Sequence, residues 1–234
     1  MSSRAILRNA RLGIALAAAL TLAACGGGGD AGLPVITSFN VSAAHRNLLT
    51  QSVGWAVTGT GSDGLVYEVS LALAPGAAAA FPLTGVVSPR QVQTFTLKRS
   101  GVVVDTSVSS VFYNATSYAL LGSSEDDGTC AAATMGPALP SAARLRDTAA
   151  YYNEVQYSGC TAGLPAAGSS AVTWSVELEG SIVFFCANRT VNDASGVRVG
   201  AGSECVQVDE AGALGPKAVV SIEVTGQFTL VARN

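Results

Sequence analysis

Charge is scarce in this chain: 12% of its 234 residues are Asp, Glu, Lys or Arg, against 49% that are apolar. Thirteen basic residues face 16 acidic ones, for a net charge of −3. The basic footprint that neutralises nucleic-acid phosphates is therefore missing, and no nucleic-acid partner is expected. Histidine occurs once, as His45, so any Ser-His-Asp or Cys-His site would have to use it. No Gly-x-Ser-x-Gly elbow and no His-Glu-x-x-His occurs. Aromatics make up 6%, too few to suggest the two girdles of a transmembrane β-barrel, which is set aside at this stage. So high an apolar fraction excludes a disordered chain, and the absence of a glycine period excludes a fibre. No internal repeat is visible.

What the chain does have begins at its N-terminus. Arg4, Arg8 and Arg11 form a positive segment without an acid. Leu12 to Ala24 follows as an apolar run of 13 residues, broken only by Gly13 and Thr21. As a helix it would reach about 20 Å, short of the roughly 30 Å hydrocarbon core, so an export signal is expected rather than a membrane span. The run ends Leu22-Ala23-Ala24-Cys25 and is followed by Gly26-Gly27-Gly28-Gly29-Asp30-Ala31-Gly32. Four consecutive glycines behave as flexible coil.

The stretch ending at Cys25 resembles the lipobox of bacterial lipoproteins, and the resemblance covers residues 1–25 only. It implies a signal peptide over 1–24, cleavage before Cys25, and lipid (diacylglycerol and a further acyl chain such as palmitate) on that cysteine. It also implies a cell-envelope location, with Gly26 in place of Asp pointing to the outer membrane. Two or three acyl chains hold a protein firmly where one does not. Residues 25–33 would be anchor and tether. Loss of the three N-terminal arginines takes the mature charge to −6.

Four cysteines remain, Cys130, Cys160, Cys186 and Cys205. An even count in an exported chain indicates disulfides, of which four cysteines allow three pairings. The sequence-neighbour pairs Cys130–Cys160 and Cys186–Cys205 are expected. Their spacing lacks the Cys-x-x-Cys or His partners of a zinc site, and neither metal nor cofactor is expected.

The body alternates apolar and polar residues with period two. Val53, Trp55 and Val57 alternate with Ser52, Gly54 and Ala56; Val172, Trp174 and Val176 alternate with Thr173 and Ser175. Such alternation marks strands with one face on a core and the other in water. Turn signals such as Ser62-Asp63-Gly64, Ser100-Gly101 and Asp126-Asp127-Gly128 punctuate the runs. Helical signals are poor, and residues 142–156 are ambiguous. The expectation is all-β: one or two antiparallel, immunoglobulin-like β-sandwich domains, divided near Leu121-Gly122 into residues 34–121 and a disulfide-containing 122–234.

Candidate chemistry is sparse. His45 reads as a solvated loop or strand-end residue, with a base or pH-switch role as the alternative. Glu125-Asp126-Asp127-Gly128 reads as a solvated turn. Tyr151 and Tyr157 have the spacing to share one strand face, with Tyr152 opposite, and could dock a protein or glycan partner. Phe184 and Phe185 are expected to cover a disulfide. With no catalytic constellation, the expected function is a non-enzymatic, lipid-anchored envelope module that binds or supports an unidentified protein or glycan. A polysaccharide hydrolase using two unlocated carboxylates and a surface adhesin are the alternatives.

Overall fold

The computed structural model describes residues 38–234. The expected signal peptide, Cys25 and the glycine tether lie outside the described residues.

Among the described residues, one helix, α1 (Val41–Thr50), precedes twelve strands. These are β1 (Val53–Gly61), β2 (Val66–Ala80), β3 (Val87–Arg99), β4 (Val102–Tyr113), β5 (Leu120–Glu125) and β6 (Cys130–Met135). They continue as β7 (Thr148–Tyr157), β8 (Ala166–Glu179), β9 (Ile182–Asp193), β10 (Arg198–Val208), β11 (Leu214–Val224) and β12 (Phe228–Arg233). Each strand pairs antiparallel with its sequence neighbours, and β12 pairs back onto β1. The result is one closed up-and-down barrel.

This corrects the sandwich expectation. Alternation shows that each strand has one dry and one wet face. It does not show whether the sheet folds over a second sheet or closes on itself. Here every connection joins adjacent strands, so no strand leaves the sheet to start another, and the sheet curls until β1 meets β12. The division expected at Leu121-Gly122 falls inside β5.

The inward faces carry the apolar residues. Trp55 and Val57 are buried while Gly54, Ala56 and Thr58 are exposed. Tyr67, Val69 and Leu73 continue the inner face on β2, and Val172, Trp174 and Val176 do so on β8. The outer face carries Thr58, Thr60, Ser70, Thr96 and Thr173, and the cross-strand ion pairs Glu68–Lys98 and Arg198–Glu223. The same outer surface also exposes Val66, Val108, Val155, Leu178 and Val231, so it mixes polar and apolar side chains.

The seam between β1 and β12 is short and tight. Gly59 lies opposite Ala232, and a Cβ at Gly59 would stand 2.0 Å from the carbonyl oxygen of Val231. Only glycine lets the two backbones approach this closely.

α1 closes one end of the barrel. Asn40 caps it: its Oδ1 accepts from the Ala43 N–H at 2.9 Å. Val41, Ala44, His45 and Leu49 are buried beneath it. The 139–145 stretch seals the same end, where Phe39 and Ala143 exchange backbone hydrogen bonds. At the opposite end the strands are joined by hairpins, the longest being residues 158–165.

Both expected disulfides are present. Cys130–Cys160 ties the start of β6 to the 158–165 loop, and Cys186–Cys205 staples β9 to β10.

Candidate lumenal binding site

A barrel of twelve strands is wider than one whose interior eight strands' side chains just fill. α1 and the large aromatics take up much of that space, and a cavity of about 210 Å³ remains in the lumen. Its floor is the inner face of α1, through His45, Leu48 and Leu49. β1, β2 and β11 supply an apolar side through Trp55, Leu71, Leu73, Val220 and Ile222. β3 to β5 supply a polar side through Gln91, Gln93, Ser107, Ser109, Ser123 and Glu125. Tyr152, Glu154, Arg189 and Glu204 complete it from β7, β9 and β10.

The charged groups centre on Arg189. Its guanidinium pairs with Glu154 and donates to the Tyr152 hydroxyl at 2.8 Å. The Ser170 hydroxyl donates to the same Glu154 carboxylate at 2.8 Å. The Arg189 guanidinium also lies over the Tyr152 ring, 5.6 Å from its centroid. Enclosure pulls the Arg189 pKa down, but Glu154, Tyr152 and Glu204 outweigh it and hold the cation charged. Enclosure pushes the Tyr152 hydroxyl up, so it stays protonated.

Glu204 has an exposed surface, yet desolvation raises its pKa, with Arg189 opposing. The two facts agree because the surface it exposes is lumen: the wall surrounds it, and its neighbours on β11 face the same cavity. Among the described residues it has neither a hydrogen bond nor a salt bridge.

The amides on β3 are also incompletely used. Gln93 Nε2 donates to Gln91 Oε1 at 2.8 Å. Gln91 is 1% exposed, and its own Nε2 has no hydrogen-bond partner among the described residues. A buried donor without an acceptor costs about 1–3 kcal/mol, so a group that accepts from it is stabilising.

His45 binds the floor to the wall. Its Nε2 stands 2.8 Å from the Tyr118 carbonyl, which can only accept, so Nε2 carries the proton. Nδ1 is then the acceptor for the Tyr151 hydroxyl. Burial lowers the His45 pKa, opposed by the Tyr118 hydrogen bond, and burial raises that of Tyr151, with Tyr152 adding to it. Both groups are neutral.

The expectation of a solvated His45 is therefore corrected, since it is 5% exposed on a helix. Tyr151 and Tyr157 do not share a face. A register shift between Ala150 and Tyr152 makes a bulge that turns Tyr151 and Tyr152 both inward, their ring centroids 4.8 Å apart. Tyr157 lies opposite Cys130, away from the lumen, and half-buried. Phe185 packs inside against Tyr151, with centroids 5.9 Å apart. The Glu125–Gly128 segment is the β5–β6 hairpin, where Asp127 Oδ1 accepts from the Thr129 N–H and hydroxyl, while Glu125 reaches the lumen.

Gln91, Gln93, Glu154, Arg189 and Glu204 were not singled out from sequence. A signal existed: Val183, Phe185, Ala187, Arg189 and Val191 form one inward series, and a charge in an otherwise apolar series is out of place. No family model, curated protein or solved structure matches the chain.

Proposed function

We propose that this protein is a lipid-anchored module of the bacterial envelope that binds a small molecule in its barrel lumen and acts by binding rather than by catalysis. The observation that carries the reading is the cavity of about 210 Å³ with one apolar and one polar side. Small-molecule sites combine mostly apolar walls with a few convergent polar groups. The volume lies below the roughly 300 Å³ where drug-sized pockets begin, so the ligand is small. In this reading Cys25 supplies membrane attachment at the outer membrane.

A hydrolase working through two carboxylates is the second reading. It is supported by Glu154 and Glu204 facing one lumen, both acting on Arg189. The adhesin reading loses its support with the burial of Tyr151.

Thermal unfolding against a library of small metabolites tests the binding reading, using the wild type and Ser109→Phe, which fills the lumen. A ligand at a hundred times its Kd stabilises by about 2.7 kcal/mol. Compounds that stabilise the wild type should leave Ser109→Phe unmoved. Stabilisation that survives the filled lumen contradicts lumenal binding, and turnover of a glycan favours the hydrolase.

A further inference from the structure

We infer that the lumen takes a small organic ammonium ion, with Glu204 as its counter-charge. The inference rests on the lumenal-binding reading and goes on to name the ligand's chemistry.

Charge selects the sign. The ionisable groups facing the cavity are Glu125 on β5, Glu154 on β7, Glu204 on β10, Arg189 on β9, His45 on α1, and Tyr151 and Tyr152 on β7. His45 and both tyrosines are neutral and Glu154 is taken up by Arg189, which leaves the Glu204 carboxylate without a hydrogen bond or salt bridge among the described residues. Arg189 is already held by Glu154 and Tyr152. An anion could reach that guanidinium only by displacing a buried partner, and truncating or unpairing such a pair is costly. A cation meets no such obstacle, because Glu204 presents a carboxylate to open lumen and has no hydrogen bond or salt bridge among the described residues. Desolvation already disfavours its charged form, and an ammonium group would restore that form.

The surroundings favour an organic cation over a bare metal ion. The three acids sit on separate strands, and no group of three metal-ligating side chains comes together among the described residues. Trp55, Phe95 and Tyr152 line the cavity. Aromatic rings attract ammonium groups when desolvated. The Trp55 indole N–H already donates to the Gly215 carbonyl at 3.0 Å, so what it offers a ligand is its ring. Gln91 lines the same cavity, but at 1% exposure its Nε2 is sealed from the lumen, so the ligand's recognition rests on Glu204 and the rings.

Calorimetric titration of the full chain with three matched compounds tests the assignment: trans-4-aminocyclohexanol, cyclohexane-1,4-diol and 4-hydroxycyclohexanecarboxylate. They share one scaffold and differ in charge. The amine should bind at least about tenfold more tightly than the diol, and the carboxylate more weakly than either. Glu204→Gln should abolish the amine's advantage over the diol, and thermal unfolding beside the wild type shows that the variant is folded. Ser109→Phe should abolish binding of all three. An amine that binds no better than the diol, or whose advantage survives Glu204→Gln, overturns the ammonium assignment while lumenal binding stands. Binding that persists in Ser109→Phe overturns lumenal binding itself.

Discussion

The imidazole of His45 on α1 accepts the Tyr151 phenolic proton from β7, so the helix that closes the barrel is fastened to the lumen wall through a neutral, buried pair. The folded state holds the His45 pKa below its ordinary value of 6.5. Below that value the unfolded chain binds the extra proton first, so stability rises with pH. The contribution is full above about pH 6.5 and is lost as pH falls through the lowered folded value. Urea unfolding of the wild type should show a falling midpoint from about pH 7.5 to about pH 5. His45→Gln should be less stable at the higher pH and show a shallower fall. An unchanged slope would remove His45 from this role.

Arg189 and Glu154 form the pair most exposed to loss by truncation. Glu154 is 6% exposed, so removing its partner leaves a buried carboxylate without compensation. Arg189→Met should destabilise by about 3–5 kcal/mol. Adding Glu154→Gln should recover part of that loss, giving a coupling free energy in a double-mutant cycle. Strictly additive effects in urea unfolding would show that the two groups do not interact.

The closure seam depends on Gly59. Any side chain there meets the Val231 carbonyl at 2.0 Å, and the other close atoms are β12 backbone as well. Gly59→Val should cost more than about 4 kcal/mol, in the range where a named structural fault is required. Protease cleavage within β12 reads out the seam directly. A stable, resistant variant would mean that the barrel is not closed here.

The proposed attachment runs through Cys25. Cys25→Ser should move the protein from the membrane to the soluble fraction, since the acyl chains supply the proposed attachment. Continued fractionation with membranes would reject the anchor.

Much of the wall was legible in the sequence. Trp55, Val57, Val172, Trp174 and Val176 alternate as written and point inward as expected. Both cysteine pairs follow from proximity along the chain. Closure was not legible, because period two fixes the faces of a strand but not how far the sheet curls. α1 was missed although its signal was present. Asn40 precedes Val41, Ala44, His45, Leu48 and Leu49, a cap followed by the i, i+3, i+4, i+7, i+8 pattern of a helix face. Tyr151 was misplaced by a bulge, which shifts parity by one residue and leaves no reliable mark in composition. The lumen was assembled from single residues on different strands, so no local motif announced it.

The central claim is an open lumen behind Ser109, and the rate of thiol modification measures it most directly. In a Cys25→Ser background the four remaining cysteines are paired, so Ser109→Cys gives one free thiol facing the cavity. Val57→Cys, in the packed side of the core at 1% exposure, is the control. Under native conditions a small methanethiosulfonate should modify Cys at position 109 rapidly and leave position 57 untouched, with a cationic reagent faster than an anionic one. Equal protection at both positions until the protein unfolds would contradict an open lumen and the account built on it.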